Sequence, residues 1–260
     1  MTVVTVRQMV GAELLKLRRR RGIIALAAFF TVGIVLLYFG VRAIEHASNP
    51  AANGPAGGVR SLDHATVVLS VFFGSLAAIL IGTEAGTSDL ASGVFGDLVV
   101  TGRSRLALFA VRVPAALIVT LALALASLAL SVAAAYGFAD GMPTPSASFV
   151  INSVLWTCGA QALICVVAVG LGSFTGSRAI SLTALIGWQV IASRLLPQIS
   201  FLGHLRYAIP NIALGALKPG LTLPDANGLA PGVGVALAVI AVWALAWLAA
   251  GGWRTVSSDA

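Results

Sequence analysis

The chain has 260 residues, 58% of them hydrophobic and only 10% charged, against about 25% charged in an ordinary soluble domain. A mean hydropathy of +0.98 excludes a soluble enzyme and a disordered chain. Sixteen Lys and Arg are too sparse for a phosphate track, which excludes a nucleic-acid-binding domain, and the net charge of +7 fits a membrane protein with a cationic cytoplasmic face.

Residues 1–22 are expected to form an amphipathic interfacial helix. Val3, Val6, Val10, Leu14 and Leu17 recur at intervals of three and four, one stripe of a helix. Arg7 and Lys16 lie off that stripe. Such a helix lies in the interface plane with its apolar face in lipid. Lys16 and Arg18, Arg19, Arg20 and Arg21 would then meet the headgroups, at about 1 kcal/mol of attraction each to an anionic surface.

A bilayer core of about 30 Å takes about 20 apolar helical residues. Ile23 to Val41 is the first such run and carries no charge. It exceeds the apolar core of a cleaved signal peptide, so a retained anchor is expected. Ala65 to Thr83 is the second span. Pro114 to Ala139 is the third, reaching back to Leu106 if Arg112 snorkels. Phe149 to Gly172 is the fourth, and Gly228 to Gly252 the sixth. The fifth, Ile180 to Ser193, is short and is interrupted by Arg194 and Pro197. Residues 195–217 are apolar yet broken by His204, Arg206, Pro210 and Asn211, which predicts a re-entrant outer hairpin. The expected fold is an all-α membrane protein, a single transmembrane domain over 1–260 with six transmembrane helices.

The positive-inside rule sets the orientation. With the N-terminus inside, the cytoplasmic pieces 1–22, 84–113, 173–179 and 253–260 hold eleven Lys and Arg, and the outer pieces hold five. Both termini are expected to be cytoplasmic.

Residues 84–105 form the main cytoplasmic loop. Leu90, Val94, Leu98 and Thr101 share one side at helical spacing, with Phe95 and Val99 beside them. Thr87 or Ser88 could cap the start, Asp89 suits the first turn, and Gly102 suits the stop ahead of Arg103 and Arg105. A short cytoplasmic helix with an apolar face is expected there. Its cover could be the protein's own body, the lipid surface or a partner.

Together these features resemble the permease subunit of ABC-2 type ATP-binding-cassette transporters. The resemblance rests on the interfacial elbow helix with its Glu13-Leu-Leu-Lys16 stretch, and on Asp89, Gly93 and the run Val94-Phe95-Gly96-Asp97-Leu98. It also rests on Thr101-Gly102-Arg103-Ser104-Arg105, on Arg112 in the next span, and on the broken hairpin of residues 196–217. Asp89 stands where the family commonly has Glu, and Val94 and Gly96 where it commonly has Thr and Arg. The resemblance implies that the small helix docks into a cleft of an ATPase subunit through Asp89, Leu90, Val94, Phe95, Leu98, Arg103 and Arg105. It implies an exporter in the bacterial plasma (inner) membrane, a homodimer or a pair with a sister permease, and two copies of the ATPase. ATP and Mg would be bound by that partner.

The chain has no G-x-x-x-x-G-K-[ST] loop, so it is expected to hydrolyse no ATP itself and to bind no cofactor. It has no H-E-x-x-H and no G-x-S-x-G elbow. His46, His64 and His204 fall in outer segments without a second ligand at metal spacing. Cys158 and Cys165 are about 10 Å apart along one helix, too far for a disulfide. Among uncharged polar groups within spans, Gln161 and Gln189 are candidates for a substrate path. No Asp or Glu lies at mid-span, which argues against a proton-coupled carrier. The alternatives are a stand-alone channel or secondary carrier, and a membrane anchor of a regulatory complex using the same cytoplasmic helix. Gly82-x-x-x-Gly86 and Gly172-x-x-x-Gly176 permit close helix approach. The transported substrate is not encoded in any recognisable motif.

Overall fold

The computed structural model describes residues 3–91, 93, 104–220 and 231–257. Every regular element among them is helical. The N-terminal helix α1 is Val3–Arg19. Six longer helices follow, each long and apolar enough to cross a membrane: α2 (Arg21–Ser48), α3, α4 (Arg105–Gly137), α5 (Ala147–Thr175), α6 (Arg178–Gln198) and, after a short α7 (Pro210–Ala216), α8 (Val233–Ser257). These six fit an integral, multi-pass membrane protein.

Three helices contain a π turn, in which one extra residue widens the coil. In α2 it is Phe29–Gly33. Helix α3 consists of Val59–Val67, a π turn at Val68–Phe73, and Gly74–Ala91. In α6 it is Trp188–Ala192. The three turns are linked side by side. Phe30 stacks on Phe73 with ring centroids 6.1 Å apart, and Gln189 Nε2 donates to the Val71 carbonyl at 2.8 Å.

Helix starts follow local chemistry. Ser104, Ser146 and Ser177 precede α4, α5 and α6, and each hydroxyl accepts from a backbone N–H three residues on. Helix α5 ends at Gly176, whose φ of 64° is open to glycine at little cost, and Ser177 immediately caps α6. Helix α4 has 33 residues, so it is about 50 Å long and overreaches a hydrocarbon core.

Helix α5 is the central pillar, packed against α3, α4 and α8. Its most apolar stretch is 67% buried, against 6% for α8. Small residues allow the close contacts. A Cβ added at Gly82 would lie 2.6 Å from the Cys165 carbonyl oxygen, and one at Gly86 would lie 2.6 Å from that of Val169. Gly172 faces Gly86 from the other helix, so the two G-x-x-x-G motifs meet. Gly170 and Gly251 do the same for α5 and α8.

Several expectations are revised. Fifth-span residues that looked too interrupted form a helix of 21 residues, Arg178–Gln198, because Pro197 falls in its terminal 3₁₀ turn, where a missing N–H is tolerated. Residues beyond it run as a 3₁₀ stretch, Ser200–Ala208, reversed at Gly203 with φ 49°, and then α7. Trp243 and Trp156 pin this stretch by donating to the carbonyls of Ala208 and Leu214. Helix α3 does not stop before Thr87. It continues through Asp89 to Ala91, and the Thr87 hydroxyl donates back to Thr83 O within the helix instead of capping a new one.

The stripe on α1 also lies differently. Leu17 is buried, and Val10 and Leu14 pack with it on a core formed by α2, α3, α4 and α5. That part of the stripe faces protein, while Val4 and Leu15 on other sides are exposed. Arg112 does not snorkel: it is wholly buried.

Candidate functional site

Where α1 packs against the C-terminal part of α3 and against α4, with α6 beside α3, seven charged residues gather. At their centre are two carboxylates, each using both oxygens. Asp89 Oδ1 is 2.7 Å from Lys16 Nζ of α1, and its Oδ2 is 3.0 Å from Arg112 Nη2 of α4. Glu84 Oε1 is 3.0 Å from Arg20 Nε at the α1–α2 junction, and its Oε2 is 3.3 Å from Arg178 Nη1 at the head of α6. Glu13 completes the group, 2.6 Å from Lys16. Burial pushes the Glu13 carboxyl above its ordinary 4.5, against the pull of the Lys16 hydrogen bond and charge.

Burial sorts these pairs by strength. Both carboxylates are nearly enclosed, with side-chain exposures of 4% for Glu84 and 6% for Asp89. Arg112 is enclosed too, whereas Arg20 and Arg178 are half exposed. An enclosed pair costs about 3–5 kcal/mol to break on one side, because an uncompensated charge stays in low dielectric. Exposed pairs contribute about 0–1 kcal/mol. Asp89 with Arg112 is therefore the structural centre, and Glu84 the looser one. Beside them opens a groove of about 310 Å³, lined by Glu13, Lys16, Arg20, Glu84, Ser88 and Asp89 among others.

No protein-family model matches the chain, and neither a curated protein nor a solved structure does. What the site does must be read from its own geometry. The two carboxylates tie together five elements that sequence separates widely: Lys16 and Asp89 are 73 residues apart. Helix α3 leads out of the site toward residues 92–103, and α4 leads back in.

The predicted site residues distribute as follows. Asp89 sits in the charge cluster, enclosed rather than presented at the surface. Leu90 lies on the last turn of α3. Val94, Phe95, Leu98 and Arg103 lie outside the described residues. Arg105 opens α4, and its Nη1 donates to the Val256 carbonyl at the end of α8, at 3.4 Å. Of the predicted membrane-surface cations, Lys16 and Arg20 pair with carboxylates, and Arg18, Arg19 and Arg21 are exposed. Gln189 reaches the π turn of α3, and Gln161 the residue just beyond it. Gln189 bonds Val71, and Gln161 stands against Gly74, fully buried with neither amide atom hydrogen-bonded.

Glu13, Glu84, Arg112 and Arg178 were not among the predicted site residues. The available signal was scarcity. In a chain with nine Asp and Glu, Glu84 stands one residue past the predicted second span and Asp89 six, and such scarce acids near a span end deserve partners, which basic residues near other span ends supply.

Proposed function

We propose that this chain is the membrane-spanning permease subunit of an ABC-2 type exporter, driven by ATP hydrolysis in a separate ATPase. The observation that carries this reading is the double bridging at Asp89 and Glu84. A transport subunit without a nucleotide site needs a rigid connection between the loop its motor pushes and the helices that must move. In this reading the segment 92–103, which joins α3 to α4 in sequence, receives the push, and the two carboxylates pass it to α1, α2, α4 and α6. Asp89 and Arg112 hold the ends of the segment at fixed spacing.

In this mechanism Leu90, Val94, Phe95 and Leu98 form the apolar knob that enters the ATPase cleft, and Arg103 and Arg105 orient it by charge. Two permease chains, identical or sister, work with two ATPase copies that hold ATP and Mg. The assembly sits in the bacterial inner membrane with both chain termini cytoplasmic. Nucleotide-driven closure moves the knobs, and the helices of the two halves rearrange to expose a path outward.

The test is purification of the tagged chain in mild detergent from its native host, followed by mass spectrometry and an ATPase assay. A stoichiometric soluble subunit with a P-loop and vanadate-sensitive hydrolysis is expected, and Leu98→Asp should abolish its recovery while membrane insertion persists. Recovery of the chain alone at every detergent strength would sink the proposal in favour of a self-sufficient channel, carrier or anchor.

A further inference from the structure

A second cavity, of about 300 Å³, lies among α3, α5, α6, α7 and α8, remote from the charge cluster. That is the lower end of the size range for small-molecule sites. Its deep wall is aliphatic and closed: Leu163 and Leu185 are 5% and 7% exposed. Its other wall lies at the gap between α6 and α8. Helix α8 packs on α4, α5 and α7 but scarcely on α6. The gap between α6 and α8 is spanned by one aromatic pair, Trp188 and Trp243, with ring centroids 5.3 Å apart.

These indoles are out of their usual place. Trp belongs at the membrane–water interface, where its N–H meets water. Trp188 and Trp243 each lie ten residues into their helices, about 15 Å from the helix ends and so near the bilayer centre. Trp243 is fixed there by its bond to Ala208 O at 2.8 Å. Trp188 opens the π turn of α6, where the widened coil swings its ring over the gap. Two carboxamides, Gln189 and Asn211, add the polar points. Gln189 spends its N–H on Val71 O, which leaves Oε1 as an acceptor. Among the described residues, no charged one lines the cavity.

We infer that this cavity is a binding site for the acyl chain of an uncharged glycerolipid, which enters sideways from the bilayer between α6 and α8. The aliphatic wall takes the chain, the tryptophan pair closes over it, and the carboxamides of Gln189 and Asn211 meet the ester or hydroxyl at its head. A charged headgroup would find no counter-charge among the described residues. This inference stands whether or not the chain works with an ATPase.

The experiment uses the full chain in lipid nanodiscs with a monoacylglycerol that carries a photoreactive diazirine in its acyl chain. After illumination, adducts are mapped by mass spectrometry. Label is expected to concentrate on residues 184–189 and 243–247, and to fall when unlabelled monoacylglycerol is added. Ala184→Phe at the exposed mouth should cut the labelling several-fold without disturbing the fold, as judged by elution and melting. Leu163→Phe fills the site from the opposite wall and should do the same, giving an independent reading should either variant fold poorly. Label spread evenly over the lipid-facing Ile151 and Leu155, or labelling of 184–189 indifferent to both variants, would overturn the assignment.

Discussion

Arg112 shows how a single side chain can reverse its expected role. A guanidinium eight residues into a long apolar helix is expected to reach for water. Instead it is enclosed by α1 and α3, 3.0 Å from Asp89. Such a pair is poor evidence of stability in itself, because desolvation offsets much of the attraction. It does fix which surfaces must meet. Arg112→Met and Asp89→Asn are each expected to destabilise the protein by about 3–5 kcal/mol. The double variant should cost less than the sum of the two, since neither charge is then left behind. Thermal unfolding of the four proteins in one detergent checks this, and simple additivity would refute the coupling. Glu13 makes a different prediction. Its raised pKa means that the docked state of α1 favours the protonated carboxyl. Its contribution is fully present below the ordinary 4.5 and is lost as pH rises through the raised value. Lys16, Asp89 and Arg112 face the same carboxyl, so the comparison must be differential. Glu13→Gln should slow hydrogen exchange in residues 3–19 relative to wild type at neutral pH, and the two proteins should converge at low pH.

At the scale of elements, helix α3 and helix α5 carry the packing. Gly82→Val places branched carbon where the α5 backbone already lies, and a loss of about 1–3 kcal/mol is expected. Gly11→Val, where a Cβ meets nothing within 4 Å, should be nearly silent by the same melting assay. Much of this level was legible in the sequence. Six helices, their order and the small-residue motifs follow from hydropathy and spacing, because lipid leaves the backbone few options. The charge cluster was not legible. Its cations were read as headgroup contacts and topology signals and Asp89 as a docking residue, because a hydropathy window sees only neighbours in sequence, while Asp89 finds its partners 73 residues before and 23 after. The expected cap at Thr87 or Ser88 does not form, because α3 runs through both. Thr87 and Ser88 suit caps, but both also fit inside a helix when their hydroxyls bond back or meet solvent, as Thr87 does with Thr83.

The molecule as a whole is fastened at both ends by different means. One end has the carboxylate cluster. At the other, Lys218 reaches Asp63 at 2.5 Å, and the backbone of residues 57–59 hydrogen-bonds to the end of α4 and the turn beyond it. Helices α6 and α8 are held least, with 22% and 6% of their apolar stretches buried. They are the surfaces left for lipid or a second chain. If both ends of the chain lie inside, tags at either terminus will resist external protease in sealed right-side-out vesicles, and cleavage of one would break the six-span arrangement.

The π turn in α3 sets the angular phase of everything beyond it. Each residue of an α-helix turns the next by about 100°. The extra residue within Val68–Phe73 therefore rotates the second half of the helix by that angle relative to an unbroken coil. Gly82 and Gly86 face α5, and Glu84 and Asp89 face their cations, only because of that offset. Wound as an unbroken α-helix with all its residues, the same sequence would swing both glycines and both acids off their partners together, whereas deleting one residue of the turn would restore a regular coil and keep both halves in phase. The apparent irregularity is the timing mark that brings the lipid-buried half and the charged half of the same helix into step.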